Sequence, residues 1–183
     1  DRATRLVEQL LVLARQEAGA TAGLPAQLVS LADLARQAVA DAAALAQERG
    51  IDLGLHRADT APVQGHPDAL RILLRNLVDN AVKYTPDGGT VDVSVIASAE
   101  ERTVVLAVED SGPGIPHEER ERVLARFHRA MPARGDGSPI AGSGLGLPIV
   151  QTIARMHGAQ LQLSGSQRLG GLRVDVRFAG GDA

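Results

Sequence analysis

The sequence predicts an α/β domain, and three observations carry that prediction. The stretch between Pro67 and Pro86 holds Leu70, Leu73, Leu74, Leu77, Val78, Ala81 and Val82 at helical spacing, which makes one apolar face. Residues 90 to 97 and 103 to 109 are Val-rich runs bounded by polar turns, and they read as adjacent strands of a hairpin. A helix over about 145 to 157, then strands at 160 to 164 and 172 to 178, continue the alternation to the end of the domain.

In chain order, residues 1 to 19 set Ala3, Leu6, Leu10 and Leu13 at spacings of three and four, the seam of a bundle helix that begins without a capping residue and reads as cut. Gly19 to Pro25 is small and breaker-rich and marks a boundary, so the chain divides into a helix at 1–19, a linker at 20–27 and a domain at 28–183. A helix over about 31 to 49 is stopped by Gly50, and strands follow near 51 to 56 and 62 to 64. Pro67 and Asp68 suit the first turn of the next helix, and Pro86, Asp87, Gly88 and Gly89 turn the chain at its end. After the hairpin a charged helix is expected from about 117 to 127. Residues 128 to 143 carry Pro132, Gly135, Gly137, Pro139 and Gly142 with little periodicity, long enough for a functional loop or lid.

Composition narrows the function classes. The 183 residues are 44% apolar and 22% charged, which is ordinary for a globular chain. Without cysteine there is no disulfide framework or thiolate metal site, and a reducing compartment fits. No apolar run reaches the roughly 20 residues that span a bilayer, and no signal peptide opens the chain, so a soluble fragment is expected. A net charge of −3 and 2% aromatics set nucleic-acid binding aside. Of the 19 basic residues only Lys83 is a lysine, a compact point charge where arginine offers a planar fork.

Three strings carry candidate chemistry. An advance of about 100° per residue puts Asn76, Asn80 and Lys83 on one stripe along the edge of the apolar face. Half-buried amides need partners. An amide oxygen suits a hard cation such as Mg²⁺, which takes one or two protein ligands and keeps waters and phosphate oxygens, and a lysine one turn on reaches phosphate. A lone mid-helix Asn would simply face solvent; two of them four apart beside a core weigh against that. Asp110 stands at a strand end ahead of Gly112 and Gly114, where its carboxylate can accept from an exocyclic amine such as that of adenine, although an Asp-Ser-Gly string is most often a plain turn. Gly142, Gly144 and Gly146 open a helix, whose first N–H groups make an anion site. It is not a Walker loop, because no Gly-Lys-Ser/Thr follows, and not a dinucleotide fingerprint, because no strand precedes it. A nucleotide with its metal is the ligand most consistent with all three.

In this order and at these separations, the strings resemble the N box and the two glycine boxes of the sensor histidine kinase catalytic domain, a member of the Bergerat ATP-binding fold shared with gyrase, the Hsp90 chaperones and mismatch-repair ATPases. The resemblance covers about residues 28 to 179, and residues 118 to 129 look like the family's F box. It implies a two-layer sandwich: a mixed, mostly antiparallel sheet of about five strands, covered on one face by about three helices, with the N-terminal bundle helix alongside. It further implies that Asn80 binds Mg²⁺, that Lys83 contacts phosphate, that Tyr84 and Asp110 face adenine, and that Gly112, Gly114 and Ile115 shape that end. Gly142, Ser143, Gly144, Leu145, Gly146 and Leu147 would line the phosphates of ATP, and Arg129 would reach them from the lid.

Asn76 stands where hydrolysing members carry a glutamate that activates water, and an amide cannot act as a general base, so phosphotransfer is expected over hydrolysis. Asn76 is still expected to contact the cofactor by orienting waters around the metal, which leaves room for slow hydrolysis, and to form the catalytic set with Lys83 and Arg129. The resemblance makes residues 1–19 the end of the second helix of a dimerisation and phosphotransfer hairpin, with the acceptor histidine upstream. The implied partners are ATP and ADP, that hairpin, and a response-regulator receiver domain. The fragment is expected to be monomeric and cytoplasmic, and its parent a homodimer anchored in a bacterial inner membrane. His117 with Glu118 mimics an acceptor pair, but follows a glycine box and reads as surface. His56, His66, His128 and His157 lack metal-ligand spacing and read as structural. Leu124 and His128 replace usual F-box aromatics, and Pro148 a commoner small residue. The rival readings are a Bergerat-fold ATPase or serine kinase, and a degenerate nucleotide sensor.

Overall fold

The computed structural model describes residues 25–125 and 144–180. The expected bundle helix, Arg129, Gly142 and Ser143 lie outside the described residues. Strand β1 (Gln27–Ser30) leads directly into helix α1 (Leu31–Glu48), whose N-cap Ser30 accepts the N–H of Asp33 at 3.2 Å. Helix α1 ends as the sequence predicts. Gly50 takes φ +61°, and the N–H groups of Gly50 and Ile51 return to the carbonyls of Gln47 and Ala46. Strands β2 (Asp52–Ala58) and β3 (Pro62–Gly65) follow, then the long helix α2 (Pro67–Tyr84) with Pro67 in its first turn. The hairpin is β4 (Thr90–Ser98) and β5 (Thr103–Asp110); α3 (Gly146–Met156), β6 (Gln160–Gly165) and β7 (Leu172–Ala179) complete the order.

Five strands form one mixed sheet in the order β2-β4-β5-β7-β6, in which only β2 and β4 run parallel. All three helices pack on one face. Their apolar stripes meet the inward residues of the strands: Leu70, Leu73 and Leu74 of α2, Ile149 and Ile153 of α3, Val91, Val93 and Val95 of β4, and Val176 of β7 are all fully buried. Each such side chain contributes about 1.5–3 kcal/mol by leaving water. The other face carries Asp92, Glu109, Arg173, Asp175 and Arg177, as the period-two alternation of β4, β5 and β7 requires.

One expectation needs correction, and one strand was unforeseen. The charged helix over 117 to 127 is, within the described residues, two single 3₁₀ turns at His117–Glu119 and Arg122–Leu124. Only Val123 is buried there, so there is no continuous apolar stripe to hold a helix down. The sequence also gave no sign of β1, whose four residues pair antiparallel with β3 in a separate two-stranded sheet.

His117 and His56 are exposed. His157 instead joins two helices: its Nε2 accepts the N–H of His66 at 3.0 Å, ahead of α2, and its Nδ1 donates to the carbonyl of Ile153 in α3 at 2.7 Å. Burial lowers its pKa from the ordinary histidine value, against the opposing pull of that carbonyl.

Candidate functional site

A cavity opens between α2, the ends of β5 and β7, and the start of α3. Its middle is apolar, walled by Leu77 and Ala81 of α2, Val108 of β5, and Leu172 and Val174 of β7. Its two ends are chemically opposite.

At one end stands Asp110, the last residue of β5, only 6% exposed. Its Oδ1 accepts the N–H of Gly112 at 2.8 Å and the N–H of Leu172 at 3.1 Å, and its backbone oxygen accepts the N–H of Gly171 at 3.1 Å. Gly171 has to be glycine for this closeness, because a Cβ there would overlap the Asp110 carboxylate and the Gly112 nitrogen. Burial pushes the carboxyl above its ordinary range, with the two N–H bonds opposing. Among the described residues Oδ2 accepts no hydrogen bond, so the cavity end shows an acceptor waiting for a donor. Glu109, one residue back, leaves on the opposite face and accepts Ser166 Oγ at 2.6 Å and Arg173 Nη1 at 2.8 Å. That holds the β6–β7 turn, and so the Leu172 N–H, in register behind Asp110.

The other end is made by Asn80 of α2 and the first turn of α3, while the last residues of α2 run back towards Asp110, where a Cβ on Gly112 would come 2.8 Å from the Tyr84 carbonyl oxygen. Lys83 Nζ lies 3.2 Å from the Tyr84 oxygen and 4.5 Å from its ring centroid, with no carboxylate in ion-pair range among the described residues. The half-buried Asn80 amide makes no hydrogen bond among the described residues. It rests on Gly146, where an added Cβ would come 2.7 Å from its Nδ2. Helix α3 starts at that glycine with no side chain capping its first turn, and Gly144 beside it takes φ +70°. A cation, an unsatisfied amide and an uncapped helix start around one space suit a polyphosphate with a hard metal ion. No three carboxylate or imidazole groups gather among the described residues, so an ion at Asn80 would draw its other ligands from phosphate and water. The apolar middle and the Asp110 acceptor suit a base bearing an amine.

Asn80, Lys83, Tyr84, Asp110, Gly114, Ile115, Gly144, Gly146 and Leu147 are thus brought to one cavity. Gly112 stands behind Asp110, and Leu145 lies buried under the start of α3. Asn76 is not in the cavity wall. It is 6% exposed and its Nδ2 donates to the carbonyl of Ile72 at 2.8 Å, one turn back in its own helix. The wall residues the sequence reading missed are Leu77, Ala81, Val108, Pro113, Val123, Pro148, Leu172 and Val174. Leu77 and Ala81 were visible as the helical neighbours of Asn80 and Tyr84; Leu172 and Val174 needed the strand order.

Residues 65–180 match the family described as histidine kinase-, DNA gyrase B- and HSP90-like ATPase. Over 179 residues the chain is 39% identical to the sensor protein QseC of Escherichia coli K12, covering 97% of this chain and 37% of that protein. It spans little more than a third of the curated relatives it matches. Among solved structures, the ATP-binding domain of PrrB from Mycobacterium tuberculosis is 31% identical with a TM-score of 0.68, covering 87% of this chain and all of that one. Full-length ShkA in complex with AMPPNP gives a TM-score of 0.79 at 27% identity, covering 97% of this chain and 36% of that chain.

Proposed function

Because the chain belongs to the histidine kinase-, DNA gyrase B- and HSP90-like ATPase family, as the ATP-binding catalytic domain of a two-component sensor histidine kinase, we propose that it binds MgATP in this cavity and passes the γ-phosphoryl group to a histidine on a hairpin domain of the same protein. A response-regulator aspartate then takes the phosphoryl group from that histidine. One observation carries the reading. The unsatisfied Asn80 amide and the Lys83 ammonium share a cavity with the uncapped start of α3, while a buried acceptor closes the other end.

Asp110 Oδ2 accepts the adenine amine, Tyr84 lies along the base, Lys83 and the N–H groups at Gly144, Gly146 and Leu147 hold phosphate oxygens, and Asn80 gives its oxygen to the metal. Gly142, Ser143 and Arg129, outside the described residues, are assigned to the phosphates by the family resemblance. Bound there, Mg²⁺ would offset part of the triphosphate charge. The protein's share of catalysis is positioning and charge neutralisation: the bond from γ-phosphorus to its bridging oxygen breaks, one to an imidazole nitrogen forms, and ADP leaves. Asn76 supplies no general base, which favours transfer over hydrolysis. By the family resemblance residues 1–19, outside the described residues, are assigned to the hairpin and the stretch before β1, which opens the domain at Gln27, to its link. The parent is a membrane-anchored homodimer with this domain in the cytoplasm; among the described residues no helix is long and apolar enough to cross a membrane.

The test mixes the chain with γ-labelled ATP, Mg²⁺ and a separately supplied hairpin domain. Acid-labile label on the hairpin histidine is expected, together with calorimetric binding of MgATP that Asn80→Ala weakens. No heat on adding MgATP, or an unchanged affinity in the variant, overturns the reading. Fast hydrolysis or label on serine would place the chain in another branch, and tight binding without phosphohistidine would make it a sensor.

A further inference from the structure

Helices α1 and α2 end in different ways. Gly50 closes α1 in the left-handed conformation, which returns N–H groups to its last carbonyls. After α2 the chain leaves extended: Thr85, at φ −71° and ψ 133°, precedes Pro86, which disfavours the helical region for the residue before it. The Thr85 N–H and Oγ1 both go to the carbonyl of Ala81, at 3.0 and 2.7 Å. The carbonyls beyond it are taken from outside. Arg49, the residue that ends α1, donates from Nη1 to Val82 O at 2.5 Å and Lys83 O at 3.4 Å, and from Nη2 to Thr85 O at 2.7 Å. Its Nε goes to the exposed Asp87 at 2.8 Å, and its own carbonyl accepts the N–H of Gly88 at 3.0 Å. A planar cationic fork over orphan carbonyls at a helix C-terminus is favourable in hydrogen bonding and in charge.

We propose that Arg49 is a positioning residue for the nucleotide site: by clamping the last turn of α2 it sets how far Lys83 and Tyr84 reach into the cavity. Both side chains leave from the very turn whose carbonyls the guanidinium holds. Without it that turn has no cap that could replace the missing bonds, because Pro86 disfavours the glycine-type exit that serves α1. The inference rests on the reading of the cavity as a nucleotide site.

The experiment measures the affinity of a non-hydrolysable MgATP analogue by calorimetry, well below the unfolding midpoint, for the wild type, Arg49→Met, Arg49→Lys and Asp87→Asn. Arg49→Met is expected to weaken binding about tenfold, which is about 1.4 kcal/mol. Arg49→Lys, which keeps the charge and loses the fork, restores part of that loss, and Asp87→Asn matches the wild type. If the wild type binds and Arg49→Met binds equally well while only its unfolding midpoint drops, Arg49 is a structural prop and the inference is overturned. If Arg49→Met does not fold, Arg49→Lys decides by the same comparison. If the wild type takes up no nucleotide, the reading of the cavity falls and the positioning role with it.

Discussion

Replacing Asp110 by Asn changes one atom at the base end of the cavity. The amide oxygen keeps the two N–H groups of Gly112 and Leu172 now held by Oδ1, which leaves an NH₂ where Oδ2 faces the cavity. An adenine amine then meets a donor. A hydrogen bond to a charged group contributes about 1.5–3 kcal/mol, and two opposed donors forfeit all of it, so the dissociation constant for MgATP should rise roughly 10- to 150-fold. A 6-oxo base accepts from the new amide, so inosine triphosphate should lose much less and the preference narrow or invert. Stability should move the other way. The folded carboxyl sits above its ordinary range, so as pH rises through that interval the folded state holds the proton longer, and stability falls with rising pH. Asp110→Asn lacks that loss and at neutral pH should unfold no earlier than the wild type. Calorimetry with both nucleotides beside thermal unfolding checks the pair of expectations; an Asp110→Asn protein that bound ATP as tightly as the wild type would refute the role given to Oδ2.

Other perturbations act at sites described above. Gly146 is the first residue of α3, where alanine gains little helix propensity, but a Cβ there would stand 2.7 Å from Asn80 Nδ2 and turn that amide away; for Gly146→Ala a nearly unchanged unfolding midpoint with clearly weaker Mg²⁺-dependent nucleotide binding is the expected result. Burial lowers the His157 pKa, so below the ordinary histidine value of about 6.5 the unfolded chain takes the proton first and stability falls as pH drops. Urea midpoints at about pH 7.5 and about pH 5.5 should differ in the wild type by more than in His157→Gln, and equal differences would mean that the His66–His157 bond does not sense protons.

What could be read from the residues follows from where the information sits. Helices α1, α2 and α3 and the strands of the main sheet were legible because each turns an apolar face towards the core, buried in β4, β5 and β7 and partly so in β2 and β6, and that contact writes a period into the chain. Strand β1 has four residues and gains its ladder only from β3, more than thirty positions on, so no local pattern announces it. The charged stretch after Ile115 looked helical by composition, but only Val123 is buried there and two short turns result. Asn80 and Lys83 showed at helical spacing. Asn76 shares their stripe, yet its amide donates to its own helix backbone, a choice that spacing cannot reveal. Arg49 was invisible for a related reason: its partners are main-chain carbonyls 33 to 36 positions away, groups that every residue possesses.

The aromatic complement is one tyrosine, no tryptophan and two phenylalanines. The single phenol stands in the cavity wall beside the Lys83 ammonium. Near-ultraviolet absorption and emission of the phenol type therefore come from one address, and a spectrum of the whole molecule is a spectrum of that wall. A titration followed by light would report the cavity without any label being introduced, while aromatic absorbance gives only a weak measure of protein concentration.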